Sequence, residues 1–157
     1  MEQSKSYLTF RIAGEQYAVT LNSLREIIGG IDVVPVPYAP SAVTGVVNFR
    51  GHIVSIVDLC KRFGLSPETH QEEGSTLVLQ HGEQLIGLQV DQVEAVVQIE
   101  DGQLEPPPTF SQHALLNLTE SVARMERQFL VILSTEKIFS FEERSEAVGE
   151  RFSPSVA

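Results

Sequence analysis

Hydrophobic positions in this chain recur mostly at every second residue or in short runs, punctuated by glycine, asparagine and proline. Leu8, Phe10 and Ile12 alternate with Thr9 and Arg11, the chain turns through Gly14-Glu15-Gln16, and Tyr17-Ala18-Val19 follows. That period-two pattern on either side of a glycine turn predicts a hairpin with one buried face. Leu21, Leu24 and Ile28 fall at helical spacing and predict a short helix. Pro35, Pro37 and Pro40 split the next apolar stretch into an edge strand and a loop, because proline cannot donate to a ladder. From Gly45 to Leu59 two apolar runs meet at Asn48-Phe49-Arg50-Gly51, a tight hairpin in which Asn48 and Gly51 supply the turn chemistry. Asp58 is a good N-cap for a short helix, Leu59 to Phe63, and Gly64 a good stop. Residues 65–75 are polar and acidic and read as a surface loop. Between Gln92 and Glu100 one strand face carries Val93, Ala95, Val97 and Ile99, which leaves Val96 as an apolar residue among Glu94, Gln98 and Glu100. Val96 is either an isolated exposed apolar residue or part of a protein-contact patch.

The pattern also repeats. Gly82-Glu83-Gln84 restates Gly14-Glu15-Gln16 at a spacing of 68, where Glu26-Ile27-Ile28 also meets Glu94-Ala95-Val96. At a spacing of 76, Ile56 to Phe63 resembles Ile132 to Phe139, each run placing a capping residue, Asp58 or Ser134, before a short helix with Lys and then Phe. Two matches in the same order predict two half-sized copies of one β unit, and many short strands with repeated turn signals favour small closed barrels. At the spacing of 76, Arg50 and Gly51 meet Glu126 and Arg127. Whatever Arg50 does therefore belongs to the first copy. It either braces a local acid, Asp58 or Glu26, or faces a partner, a role that suits its planar fork of donors.

Composition narrows the function. The 157 residues, 42% of them hydrophobic, suit one ordinary domain or two very small ones. A net charge of -10 argues against a general nucleic-acid or anionic-membrane binder, since both partners are polyanions. No apolar stretch approaches a membrane span of about 20 residues, and the first ten residues lack a signal-peptide pattern, so cytoplasmic residence is expected. Cys60 is the single cysteine, which rules out an internal disulfide. Cys60 with His52 could be a thiol nucleophile and base, but no flanking signature accompanies them and a buried structural cysteine is the simpler reading. His52, His70, His81 and His113 lack the close spacing of zinc ligands, and no phosphate-cradling glycine loop is present. Neither catalysis nor a metal is indicated.

The run Gly45 to Leu59 resembles the signature of the CheW-like family, adaptor modules of bacterial chemosensory arrays. Phe10 to Ile28, Leu77 to Val97, Glu105-Pro106-Pro107-Pro108 and Gln128 to Phe139 extend the resemblance from about residue 6 to 141. It departs from relatives around Asn117 to Val122, where they usually carry a glycine, and at Ser134, where an acidic or amide residue is common. The resemblance implies an all-β fold with a few short helices, in which two five-stranded, SH3-like barrels pack together. Residues 1–141 would form one domain of two halves, about 14–63 and 76–141, with exchange of strands between them open; the charged, Pro- and Ser-containing tail 142–157 reads as disordered. It further implies a stand-alone adaptor with no catalytic activity and no cofactor, linking the histidine kinase CheA, through its CheW-like regulatory domain, to the cytoplasmic tips of chemoreceptors. Such a protein sits in the cytoplasm at membrane-bound arrays and inserts into no membrane. The output is open between a flagellar motor, pili or another pathway; a barrel that binds nucleic acid or a thiol enzyme are remote alternatives. Positions matching those implicated in partner contacts are Leu24 and Glu26, then Gly45, Asn48 and Arg50 at the signature hairpin, and Leu77 and Val96 in the second copy. Leu77 and Val96 would supply apolar groove walls and Arg50 an anchor for a receptor helix.

Overall fold

The structure is a computed structural model that describes residues 3–29, 34–35, 43–60, 74–107 and 116–140. Most of the expected helix Leu59 to Phe63, from Lys61 on, with its stop at Gly64, the loop 65–73, Pro37, Pro40, Pro108, His70, His113 and the tail 142–157 lie outside the described residues. Eleven strands are present among those described: β1 (Ser4–Ile12), β2 (Glu15–Thr20), β3 (Leu24–Gly29), β4 (Val43–Phe49), β5 (His52–Val57), β6 (Ser75–His81), β7 (Gln84–Val90), β8 (Gln92–Glu100), β9 (Leu104–Glu105), β10 (Thr119–Arg124) and β11 (Phe129–Leu133). They form two sheets, one of six strands in the order β8-β1-β2-β11-β10-β9 and one of five in the order β3-β6-β7-β5-β4.

Each sheet closes on itself. In the first, β8 pairs with β1 at one edge, runs through the short 3-10 turn Asp101–Gln103 and returns as β9 to pair with β10 at the other edge. Its six strands are thus five with one broken by a turn. In the second, β3 pairs with β6, and farther along the same chain Val34 bridges to Val46 on β4, at the opposite edge. The result is the pair of small barrels expected, with few free edges left to template unwanted pairing.

The barrels are built in the same order from equivalent strands: β1, β2, β8, β11 and β10 in one correspond to β6, β7, β3, β5 and β4 in the other. The spacing of 76 holds residue by residue. The register shift between Val43 and Gly45 recurs between Thr119 and Ser121, and the barrel interiors pair Val47 with Ala123, Val54 with Leu130 and Ile56 with Ile132. Asp58 accepts a hydrogen bond from the Cys60 N–H (2.9 Å), and Ser134 Oγ accepts one from the Lys137 N–H (3.1 Å) at the start of the helix 135–140, so both expected caps form.

The spacing of 68 is off by one. Leu8 faces Val19 across the first hairpin as Leu77 faces Leu88 across the other, which sets the structural spacing at 69. In the first hairpin the two turn residues are Ala13 and Gly14, both at positive φ; in the second they are Gly82 and Glu83, with positive φ at Gly82 alone. The Gly-Glu-Gln triplet therefore occupies different turn positions, and a glycine serves each because each needs a left-handed residue somewhere. The expected helix over Leu21 to Ile28 is also corrected: a single 3-10 turn, Leu21–Ser23, leads directly into strand β3.

Three apolar clusters hold the molecule together. Tyr7, Ala18, Ile99, Ala123, Leu130 and Ile132 fill one barrel, and Val47, Phe49, Val54, Ile56 and Val78 fill the other. Between the barrels lies the largest cluster, with Leu8, Phe10, Tyr17 and Val19 from the first hairpin and Leu77, Leu79, Ile86 and Leu88 from the second, closed by Val57, Leu59, Leu133 and Phe139. Both hairpins are therefore buried on both faces, which explains why Thr76-Leu77-Val78-Leu79 reads as a continuous run instead of an alternation.

Two substitutions probe this packing. A Cβ added at Gly87 would lie 2.5 Å from Ile56 Cδ1 and 2.8 Å from Thr76 Cγ2, whereas its counterpart Ala18 accommodates one. Gly87→Ala is expected to destabilise the protein by about 1–3 kcal/mol through overpacking, measured by chemical denaturation. Thr9 Oγ1 donates to the Ala95 carbonyl (3.0 Å) and accepts from the Ala95 N–H (3.1 Å), filling the register shift between β1 and β8. Thr9→Val removes the one hydroxyl that serves both Ala95 groups, leaving its N–H and carbonyl unpaired, and is expected to cost about 1–2 kcal/mol in the same assay.

Candidate functional site

Arg50 is set by its turn. Phe49 pairs with His52, leaving Arg50 and Gly51 as a two-residue connection with φ of 51° and 85°. Two left-handed residues make the turn whose twist matches a hairpin, and Gly51 donates its N–H to Asn48 Oδ1 at 2.9 Å to fasten it. Asn48 thus contributes a side-chain acceptor, and the left-handed conformation falls on Arg50 itself. An arginine there costs on the order of 1 kcal/mol relative to glycine. The conformation directs the guanidinium over the Phe49 ring, 5.3 Å from its centroid, and into an ion pair with Glu26. Glu26 lies on β3, at one edge of the five-stranded sheet, and Arg50 joins β5 to β4 at the other edge, so the pair spans the barrel seam.

Of the two local acids expected to brace Arg50, it is Glu26 that does so; Asp58 caps the helix start. The Arg50 side chain nonetheless remains 71% exposed. An ion pair this wet contributes at most ~1 kcal/mol. Arg50 is held in place without being used up.

The other expected residues divide into surface and support. Glu26 is half-buried, Asn48 exposed, and Val96 54% exposed on β8, opposite Leu8. Leu24, at the start of β3, is half-buried and packs on the central cluster. Gly45 is buried in β4, opposite Ile56 and just after the register shift. Leu77 is corrected: it is fully buried in the central cluster, on a hairpin with protein on both sides, and offers no surface to a partner. Leu24, Glu26 and Leu77 lie on the neighbouring strands β3 and β6, and the ion pair brings Arg50 to them, whereas Val96 lies in the other sheet.

Sequence reasoning missed four exposed apolar residues: Ile27, Val34, Ile53 and Phe129. At the structural spacing of 69, Ile27 is the counterpart of Val96; at 76, Ile53 is the counterpart of Phe129. Each barrel therefore exposes an apolar side chain at the same two positions. A signal for Ile27 existed in the alternation Leu24, Glu26, Ile28 inward and Arg25, Ile27 outward, once the segment is read as a strand.

Burial, then the Asp58 and Asp91 carboxylates, push the Cys60 thiol up to about 11, so it stays protonated at neutral pH and is a poor nucleophile. Among the described residues no group of three or more His, Cys, Asp or Glu side chains could hold a metal ion, and no helix is long and apolar enough to cross a membrane.

Comparison with known proteins gives a consistent picture. The CheW-like domain family is matched over residues 6–143. The chain is 27% identical over 143 residues to "Chemotaxis protein CheW" of Rhizobium meliloti, covering 91% of this chain and 92% of that protein. It is 30% identical over 138 residues to "Chemotaxis protein CheW" of Helicobacter pylori, covering 87% and 82%. Among solved structures, the scaffolding protein TtCheW from Thermoanaerobacter tengcongensis superposes with a TM-score of 0.77 at 26% identity, covering 84% of this chain and 90% of that one.

Proposed function

The chain belongs to the CheW-like family, and from that premise we propose that it is a non-catalytic chemosensory adaptor, coupling the histidine kinase CheA to the cytoplasmic tips of chemoreceptors. The observation that carries this reading is the family match over residues 6–143, which takes in both barrels and the hairpin that presents Arg50. The buried, protonated thiol of Cys60 favours a scaffold over a thiol enzyme. In this role the protein works in the cytoplasm, at the membrane-bound receptor arrays.

The partner-facing residues we propose are Glu26, Asn48, Arg50 and Val96, with Leu24 at the margin and Gly45 and Leu77 shaping the surface from beneath. A receptor helix docks by placing apolar side chains on apolar walls and polar ones on a few anchors. Val96 and Ile27 offer the first and Arg50 the second. An acidic group on the partner must compete with Glu26 for the guanidinium, so the net contribution of Arg50 is modest.

Co-sedimentation of the purified protein with fragments of the kinase regulatory domain and receptor tip tests the proposal. The wild-type chain is expected to join both in a ternary complex with no cofactor. Arg50→Ala is expected to weaken receptor-dependent assembly by about 1 kcal/mol, the threshold at which interface truncations become significant, while moving fold stability by less than that. A chain that ignores kinase and receptor fragments from its own cell, yet binds single-stranded nucleic acid with a steep salt dependence, would overturn the reading.

A further inference from the structure

We infer that the two halves of the chain, residues 3–60 and 74–140, do not need the covalent link between them, so that a break between β5 and β6 leaves both barrels intact as a non-covalent complex. The strand order carries this. In each half the leading hairpin and the strands that follow it belong to different sheets: β1 and β2 lie in the first sheet while β3, β4 and β5 lie in the second, and β6 and β7 lie in the second while β8 to β11 lie in the first. Neither half contains a complete barrel. Four strand pairings join one half to the other: β1 with β8, β2 with β11, β3 with β6, and β5 with β7.

Side chains repeat the theme. Thr9 binds the Ala95 backbone through both of its hydrogen bonds, Asp91 Oδ2 accepts from the Ala13 N–H at 2.8 Å, and Glu94 accepts from Arg11 Nε at 3.1 Å and from Gln16 Nε2 at 3.0 Å. Thr135 Oγ1 donates to Ser23 Oγ at 3.0 Å. The central cluster draws on both halves as well, with Leu8, Phe10, Tyr17 and Val57 against Leu77, Leu79, Leu88 and Leu133. Separating the halves would strip each hairpin of its barrel partners on one face and of the opposite hairpin on the other, and open both sheets at once. The molecule therefore has no hinge between its barrels and unfolds as one unit.

The test uses the full chain with a protease recognition sequence placed within residues 61–73. After cleavage the two pieces are expected to elute together in native buffer, separate only in denaturant, and melt in a single transition. Because association then enters the equilibrium, tenfold dilution should lower the melting midpoint of the cut protein by ~3–6 °C and leave that of the uncut protein unchanged. Separation of the pieces at micromolar concentration, or melting in two steps, would overturn the inference. A second variant, with the first and last residues of this chain joined by a flexible linker and new ends opened within 61–73, is expected to fold with one transition; failure of both variants to fold would equally count against it.

Discussion

Leu77→Ala is expected to lower the stability of the protein by about 2–5 kcal/mol, the range for removing a large side chain from a packed core, and the melting temperature by roughly 4–20 °C. Leu77 is fully buried between the barrels, on a hairpin that has protein on both faces, so the space left behind cannot be filled by solvent or by a shift of one mobile neighbour. Its counterpart Leu8 sits in the same cluster. At a temperature where the variant is still folded, its affinity for a receptor tip should stay within about twofold of wild type, a margin of ~0.4 kcal/mol. Thermal melts beside receptor co-sedimentation make the distinction. A small change in stability with a selective loss of receptor binding would return Leu77 to the surface.

Val96→Asp should show the opposite profile. Val96 is 54% exposed, so an aspartate there stays hydrated in the free protein and should alter stability by less than ~0.5 kcal/mol. In the complex the carboxylate would have to be desolvated against an apolar helix face, and receptor affinity is expected to fall at least tenfold, to roughly a hundredfold. The same assay with Ile27→Asp would show whether the equivalent position on the other barrel carries a similar load. Unchanged receptor binding by Val96→Asp would remove Val96 from the surface we propose.

Much of this architecture was legible because turns and caps are local. The hairpins at Gly14, at Asn48 to Gly51 and at Gly82 need left-handed residues, and the residues that supply them or fasten the turn stand out from apolar flanks. Asp58 and Ser134 announce helix starts by the short oxygen-bearing side chain each needs. Strand β3 was misread because residues four apart share a face in both a helix and a strand, so Leu24 and Ile28 could not discriminate, and Ile27, three beyond Leu24, extends a helical stripe as well; only the β-branched pair Ile27-Ile28 leans toward a strand. The spacing of 68 misled because matching letters marked the same requirement met at different turn positions. Leu77 could not be placed because a strand buried on both faces has no alternation to read. The partner of Arg50 was legible only as a choice between acids, since a contact across a barrel seam depends on how the sheet curls.

The exchange of strands has a consequence for how this protein is made. The first hairpin leaves the ribosome early, but β8, which covers β1, begins at Gln92, and β11, which flanks β2, begins at Phe129. At about 5–20 residues per second, the strand ending at Ile12 waits roughly 4–16 s for its neighbour. Through that interval Leu8, Phe10, Tyr17 and Val19, all buried in the finished molecule, have no sheet to join. Synthesis speed and holding chaperones therefore bear on the yield of this chain more than on that of a protein whose halves close separately, and slow codons placed before β8 lengthen the exposure of the first sheet's hairpin, even though all five strands of the second sheet, β3 to β7, precede Gln92.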